Sequence, residues 1–175
     1  MGKRSTFERR ERDFYPTPYK AVEPLIPHLP KGVVFDEPCA GDGVLIQHLE
    51  SFDMNCAFAS DVCPDQSWDL PVIKTYDVFD RTVCHGDYFI TNPPWDRKIL
   101  HPLICHLSMI APTWLLFDAD WMHTKQSADL IKRCVKIVSV GRVKWIADSK
   151  MTGKDNCCWY LFDAKHDGPT EFIGR

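Results

Sequence analysis

Val33-Val34-Phe35-Asp36-Glu37-Pro38-Cys39-Ala40-Gly41-Asp42-Gly43 is the stretch that decides the fold. Its three leading apolar residues predict a short strand, and the acids, proline and glycines predict a turn. Val44, Leu45, Gln47, His48 and Leu49 then predict a helix. A strand that turns through glycine into a helix is one unit of an open α/β sheet, where ligands sit beyond the carboxyl ends of the strands.

Further strands are predicted at Ala57-Phe58-Ala59, ending at Asp61, near Val72 to Tyr76, and at Tyr88-Phe89-Ile90-Thr91. The last of these is stopped by Asn92-Pro93-Pro94-Trp95. A helix around Lys98 to Met109, a strand Trp114 to Phe117, a helix around Ser127 to Cys134 and a strand Val135 to Val138 follow. Cys158 to Phe162 is the closing strand. Upstream, Thr17-Pro18 reads as the cap and first position of a short helix reaching about Leu29, made irregular by Pro24 and Pro27. Short strands alternating with helices predict a mostly parallel sheet covered on both faces. The closing strand has no helix before it and is expected to pair antiparallel. A polar basic segment, 1–12, precedes one expected domain, 13–175, without a separate target-recognition domain.

The 175 residues are 45% hydrophobic and 26% charged, a globular balance. No apolar run approaches the ~18 to 20 residues of a membrane span, and the first residues lack a signal-like apolar stretch. Eight cysteines form no C-x-x-C pair, and no histidine has metal-ligand spacing. Reduced thiols, no metal and a cytoplasmic setting are therefore expected. The net charge of −3 hides an asymmetry. Asp36 to Asp80 carries ten acids against Lys74 alone, whereas Lys132 to Lys154 carries seven bases against Asp148. The first half suits a cationic ligand; the basic stretch and the basic start suit a polyanion.

The glycine turn lacks the G-x-G-x-x-G spacing of dinucleotide folds. Its carboxylates would repel a pyrophosphate but suit the ammonium and sulfonium of S-adenosylmethionine. Asp61, 25 residues after Asp36, is placed where an acid can accept both hydroxyls of a ribose. Asn92-Pro93-Pro94-Trp95 carries a second chemistry. An exocyclic amino nitrogen is a poor nucleophile because its lone pair is delocalised. The Asn92 side-chain oxygen and the Pro93 carbonyl can hold both of its N–H bonds. The prolines fix that backbone, and Trp95 offers a face for an extruded base. DNA, RNA and a protein glutamine amide all present such a nitrogen, and a non-catalytic cofactor-binding subunit would keep the same pockets.

Phe14-Tyr15-Pro16-Thr17-Pro18, Asp36 to Gly43, Asp61, Asp77 and Asn92 to Trp95 resemble the ordered motifs of class I amino-methyltransferases. More narrowly, they resemble the small phage and prophage adenine-N6 DNA methyltransferases. The likeness runs through Lys150 to Asn156 and the Trp159 strand. It implies a Rossmann-like sandwich with a seven-stranded sheet, the last strand antiparallel. It implies that Tyr15, Thr17 and Pro18 cover the methionine end of the cofactor, and that Asp36, Pro38 and the Ala40-Gly41-Asp42-Gly43 turn hold its amino and carboxylate groups. Asp61 would take the ribose with Val62 against the adenine ring, Asp77 the adenine amino group with Val78 beside it, and Asn92 would border the transferred methyl. Trp95, Lys150, Lys154 and Asn156 would meet the target. Trp95 stands where Tyr or Phe is commoner. With no recognition domain, sequence reading would fall to short loops, the basic ends or a partner subunit.

Overall fold

A computed structural model describes residues 14–65, 73–146, 153 and 155–175. Its centre is one eight-stranded sheet in the order β3-β2-β1-β4-β5-β7-β6-β8. β1 (Val34–Glu37), β2 (Asn55–Asp61), β3 (Lys74–Thr75), β4 (Tyr88–Thr91) and β5 (Thr113–Asp118) pair in parallel. β7 (Asn156–Phe162) runs antiparallel to both β5 and β6 (Cys134–Arg142).

Two expectations about the sheet need correction. It has eight strands and not seven, and the chain's last strand, β8 (Glu171–Ile173), runs parallel to β6. The antiparallel strand is β7, the one expected to close the chain. Three residues are too few to show a periodicity, so β8 is invisible to pattern reading. It is held by pairing, by the Lys136–Glu171 ion pair at 2.9 Å and by Thr170 Oγ1 donating to the Cys134 carbonyl at 2.8 Å.

Both faces of the sheet are covered. β5 is buried on both sides, as a central strand should be, and its residues alternate between two cores. Trp114 and Leu116 face α1 (Tyr19–Val22) and α2 (Val44–Glu50), which contribute Ala21, Val22, Leu45, Ile46 and Leu49. Leu115 and Phe117 face α3 (Arg97–Ile110), which contributes Leu100, Leu103, Ile104 and Leu107. Burial of each such side chain stabilises the fold by roughly 1.5–3 kcal/mol.

The helical expectations fail where local hydrogen bonding competes. The helix expected to reach Leu29 breaks into α1 and a 3₁₀ turn at Ile26–His28, because Pro24 and Pro27 cannot donate. The helix expected at Ser127 to Cys134 is replaced by 3₁₀ turns at Lys125–Ser127 and Ile131–Arg133. There the Thr124 and Ser127 hydroxyls donate to the carbonyls of Trp121, Met122 and Thr124, an alternative to the α ladder.

β1 lies between β2 and β4, so the chain crosses over to opposite sides of it. That reversal opens a crevice at the carboxyl ends of the strands, where the turn after β1, Asp61, Asp77 and Asn92 lie. No described helix is long and apolar enough to cross a membrane.

Candidate active site

A cleft of about 970 Å³ opens at this reversal. Tyr15, Thr17, Pro38, Ala40, Gly41, Asp42, Asp61, Val62, Asp77, Val78 and Asn92 line it, segments far apart in sequence that the fold brings together. Pro94 lines it too, whereas Pro18, Gly43, Pro93 and Trp95 do not.

The floor is the turn after β1. Gly41 adopts φ 54°, and a Cβ there would come within 2.6 Å of the Phe14 ring. Glycine is therefore required twice, for conformation and for the approach of the N-terminal strap. Gly43, at φ 76°, caps α2. Asp61 ties this turn to the end of β2: its Oδ2 accepts from Gly41 N at 2.9 Å and its Oδ1 from Cys63 N at 2.7 Å. Each carboxylate oxygen keeps accepting capacity toward the cleft. Asp42 Oδ1 accepts from Val44 N at 3.1 Å. Asp77 Oδ1 caps the next turn through Phe79 N at 2.9 Å.

Asp36, expected at the cofactor, does not line the cleft. It is 0% exposed, is ion-paired with buried Arg81, and accepts from His85 N at 3.0 Å. Arg81 in turn lies over the Phe58 ring, 4.3 Å from its centroid. Successive strand residues point to opposite faces, so two adjacent acids at a strand end cannot share one site. Glu37 is the acid that reaches the cleft, and pattern reading passed over it. The signal was present: in a D-E pair closing a strand, alternation sends one carboxylate each way. Glu37 is 2% exposed, and its Oε2 has no hydrogen-bond partner among the described residues. Burial first, then the neighbouring Asp42 and Asp61, holds its carboxyl well above the usual range. A buried carboxyl with one oxygen unpartnered, in an acid-lined cleft, fits a cationic ligand group.

Asn92 forms the opposite wall. Its Nδ2 donates to Thr17 Oγ1 at 3.2 Å and to the Tyr15 carbonyl at 3.4 Å. Trp95 Nε1 donates to the Leu116 carbonyl at 3.1 Å and to Asn92 Oδ1 at 3.3 Å. The Trp95 ring stands edge-on to Trp145, 5.6 Å between centroids, half-buried between the two cores. Apolar walls that the motifs did not announce come from Phe79, Ile99 and Leu103. Phe79 and Ile99 are exposed, as surface awaiting a planar apolar ligand would be.

The residues expected to meet a target are less completely described. Lys150 and Lys154 lie outside the described residues. Asn156 pairs with Arg142 where β7 begins and lines a second, open cleft of about 530 Å³ with Ser139, His123 and Arg175. The basic stretch divides between the two ends of β6. Lys132 and Lys136, near its start, pair with Asp129 and Glu171. Arg142 and Lys144, at its other end beside the carboxyl edge of β5, are exposed. All eight cysteines are free thiols. Burial pushes Cys158 up to about 11 and Cys39, in the cleft, higher still, which keeps them protonated at neutral pH.

No family model and no curated protein sequence matches this chain. Solved structures match nearly all of it. A candidate RNA methyltransferase from Pyrococcus horikoshii is 18% identical with a TM-score of 0.59, over 92% of this chain and 93% of that one. A candidate class I S-adenosylmethionine-dependent methyltransferase from Listeria monocytogenes is 14% identical with a TM-score of 0.53, over 89% and 62%. The methyltransferase subunit of a type I restriction-modification system from Streptococcus thermophilus is 10% identical with a TM-score of 0.55, over 91% and 47%. The fold is that of the class I methyltransferases.

Proposed function

We propose that the protein is an S-adenosylmethionine-dependent methyltransferase acting on the N6 amino group of adenine in DNA, of the small phage and prophage kind. One observation carries this reading: Glu37, Asp61, Asp77 and Asn92 line a single cleft in a methyltransferase fold. Glu37 would hold the cofactor's ammonium, Asp61 its ribose hydroxyls, and Asp77 its adenine amino group, with Val62, Val78 and Phe79 as the apolar walls. When bound, the cofactor supplies an electrophilic methyl on a sulfonium.

The chain's own part is positioning and charge placement. Asn92 Oδ1 and the Pro93 carbonyl accept the two N–H bonds of the target nitrogen. That frees its lone pair for the methyl and stabilises the positive charge that develops on it. The prolines present no N–H to compete. No cysteine is needed as a nucleophile, and the transfer is direct. Arg142 and Lys144 meet the DNA backbone, joined by Lys150, Lys154, Asn156 and the basic start, and a partner subunit could supply further recognition.

The test is incubation of the protein with methyl-labelled cofactor and separate pools of DNA, RNA and protein. Label in DNA is expected. Label confined to RNA or to protein glutamine would replace adenine in DNA as the substrate, and no label in any pool would defeat the enzymatic reading.

A further inference from the structure

We infer that Thr17 is a positioning residue for the Asn92 amide, and that the strap from Phe14 to Ala21 is anchored so as to bring it there. The inference rests on the proposed methyl transfer and goes beyond it, since the resemblance gave Thr17 only a place at the cofactor.

The strap is fastened at three points. Phe14 packs on Gly41, where only a glycine leaves room. Tyr19 stacks on Phe52 at 5.6 Å between centroids and stands edge-on to His48 at 5.2 Å. The Ala21 carbonyl accepts from Trp159 Nε1 at 2.7 Å. α2 and β7 thus fix a segment that would otherwise lie loosely across the sheet edge.

Two acceptors on that segment meet Asn92. Thr17 is 5% exposed, and its Oγ1 lies 3.2 Å from Asn92 Nδ2. The Tyr15 carbonyl lies 3.4 Å from the same nitrogen and can only accept. The carbonyl therefore sets which way the amide faces, and the Thr17 hydroxyl holds it there. A terminal amide torsion is broad and nearly two-fold. A flipped amide would point its own N–H groups at the target's N–H groups, donor against donor. With Nδ2 held by the strap, Oδ1, which accepts from Trp95 Nε1 at 3.3 Å, turns its second lone pair to the amino group. Thr17 touches neither the target nor the transferred methyl; it acts through Asn92.

The experiment compares Thr17→Val and Thr17→Ser with the wild type in three measurements. Single-turnover methylation of unmethylated genomic DNA at saturating S-adenosylmethionine should fall up to about tenfold in Thr17→Val, the scale of one net hydrogen bond. It should be largely restored in Thr17→Ser. Calorimetric affinity for S-adenosylhomocysteine should change less than about twofold in both, against that same scale. Nuclear magnetic resonance of the Asn92 side-chain amide should show exchange protection in the wild type and Thr17→Ser, and its loss in Thr17→Val. A Thr17→Val rate equal to the wild type overturns the inference, as does a deficit that vanishes on saturating cofactor, which would mark a direct cofactor contact. An unchanged amide signal in Thr17→Val overturns it without reference to activity. If the wild type methylates no DNA while the amide responds as described, the proposed reaction fails and the positioning role stands.

Discussion

Around Gly41 and Asp61 the chain is locked by its own backbone, whereas at the end of β6 it offers exposed basic side chains. On the first side Asp61 binds two backbone N–H groups, and Asn92 binds the strap. On the second side, Arg142 and Lys144 are exposed, where long charged side chains are free to adapt. The contrast fits the two tasks that the proposed reaction would need. Methyl transfer demands fixed geometry, which fails sharply when one atom is removed. Attraction to a polyanion is a sum of weak charges, which degrades gradually.

Asn92→Ala should break the locked side most severely. Removing one preorganised transition-state contact costs about two to three orders of magnitude in turnover. Calorimetry on the same variant should find cofactor affinity close to wild type, because Glu37, Asp61 and Asp77 are untouched. Equal losses in both would mean that Asn92 serves the cofactor and not the target.

Glu37→Gln comes next. It should weaken cofactor binding by about 1.5 to 3 kcal/mol, the range for a hydrogen bond to a charged group. The carboxyl titrates well above its ordinary value of 4.5 in the unliganded fold. The folded state therefore keeps a proton that the unfolded state releases. This contribution to stability is fully present below pH 4.5 and is lost as pH rises through the raised value. Glu37→Gln should remove that decline and melt above the wild type at neutral pH without ligand. A cationic ligand favours the carboxylate, so wild-type cofactor affinity should rise with pH and binding should release protons. Titration calorimetry in buffers of different ionisation enthalpy reads that release, and a buffer-independent heat would count against Glu37 as the cationic subsite.

Smaller effects are expected on the adaptable side. Replacing Arg142 and Lys144 together by Gln should lower the slope of log affinity against log salt by up to ~2, at about 0.9 per phosphate contact. The paired replacement Lys132→Gln with Lys136→Gln, at the other end of β6, should leave that slope alone. Filter binding across a salt series compares the two; equal effects would mean that DNA does not distinguish the ends of the sheet.

The same contrast explains what could be read from residues alone. Gly41, the Pro93-Pro94 pair and the acids at strand ends are legible because the geometry demands those residue types. β4 was read to the residue, since Tyr88 to Thr91 is apolar and stopped by proline. Alternation sends Asp36 and Glu37 to opposite faces, but which of them enters the cleft was not legible without Arg81, 45 positions away, which is buried against Asp36. β8 was hidden for another reason: its three residues acquire strand character only from β6. The hydroxyls of Thr124 and Ser127 unmade an expected helix by bonding locally, a competition that apolar spacing does not report.

The atom that receives the methyl group tests the central claim most directly. DNA treated with the wild-type protein and isotopically labelled S-adenosylmethionine would be digested to nucleosides and resolved by mass spectrometry. The account predicts label on N6 of deoxyadenosine. Label on C5 of deoxycytidine, a carbon that an amino grip by Asn92 and Pro93 cannot activate, would contradict it.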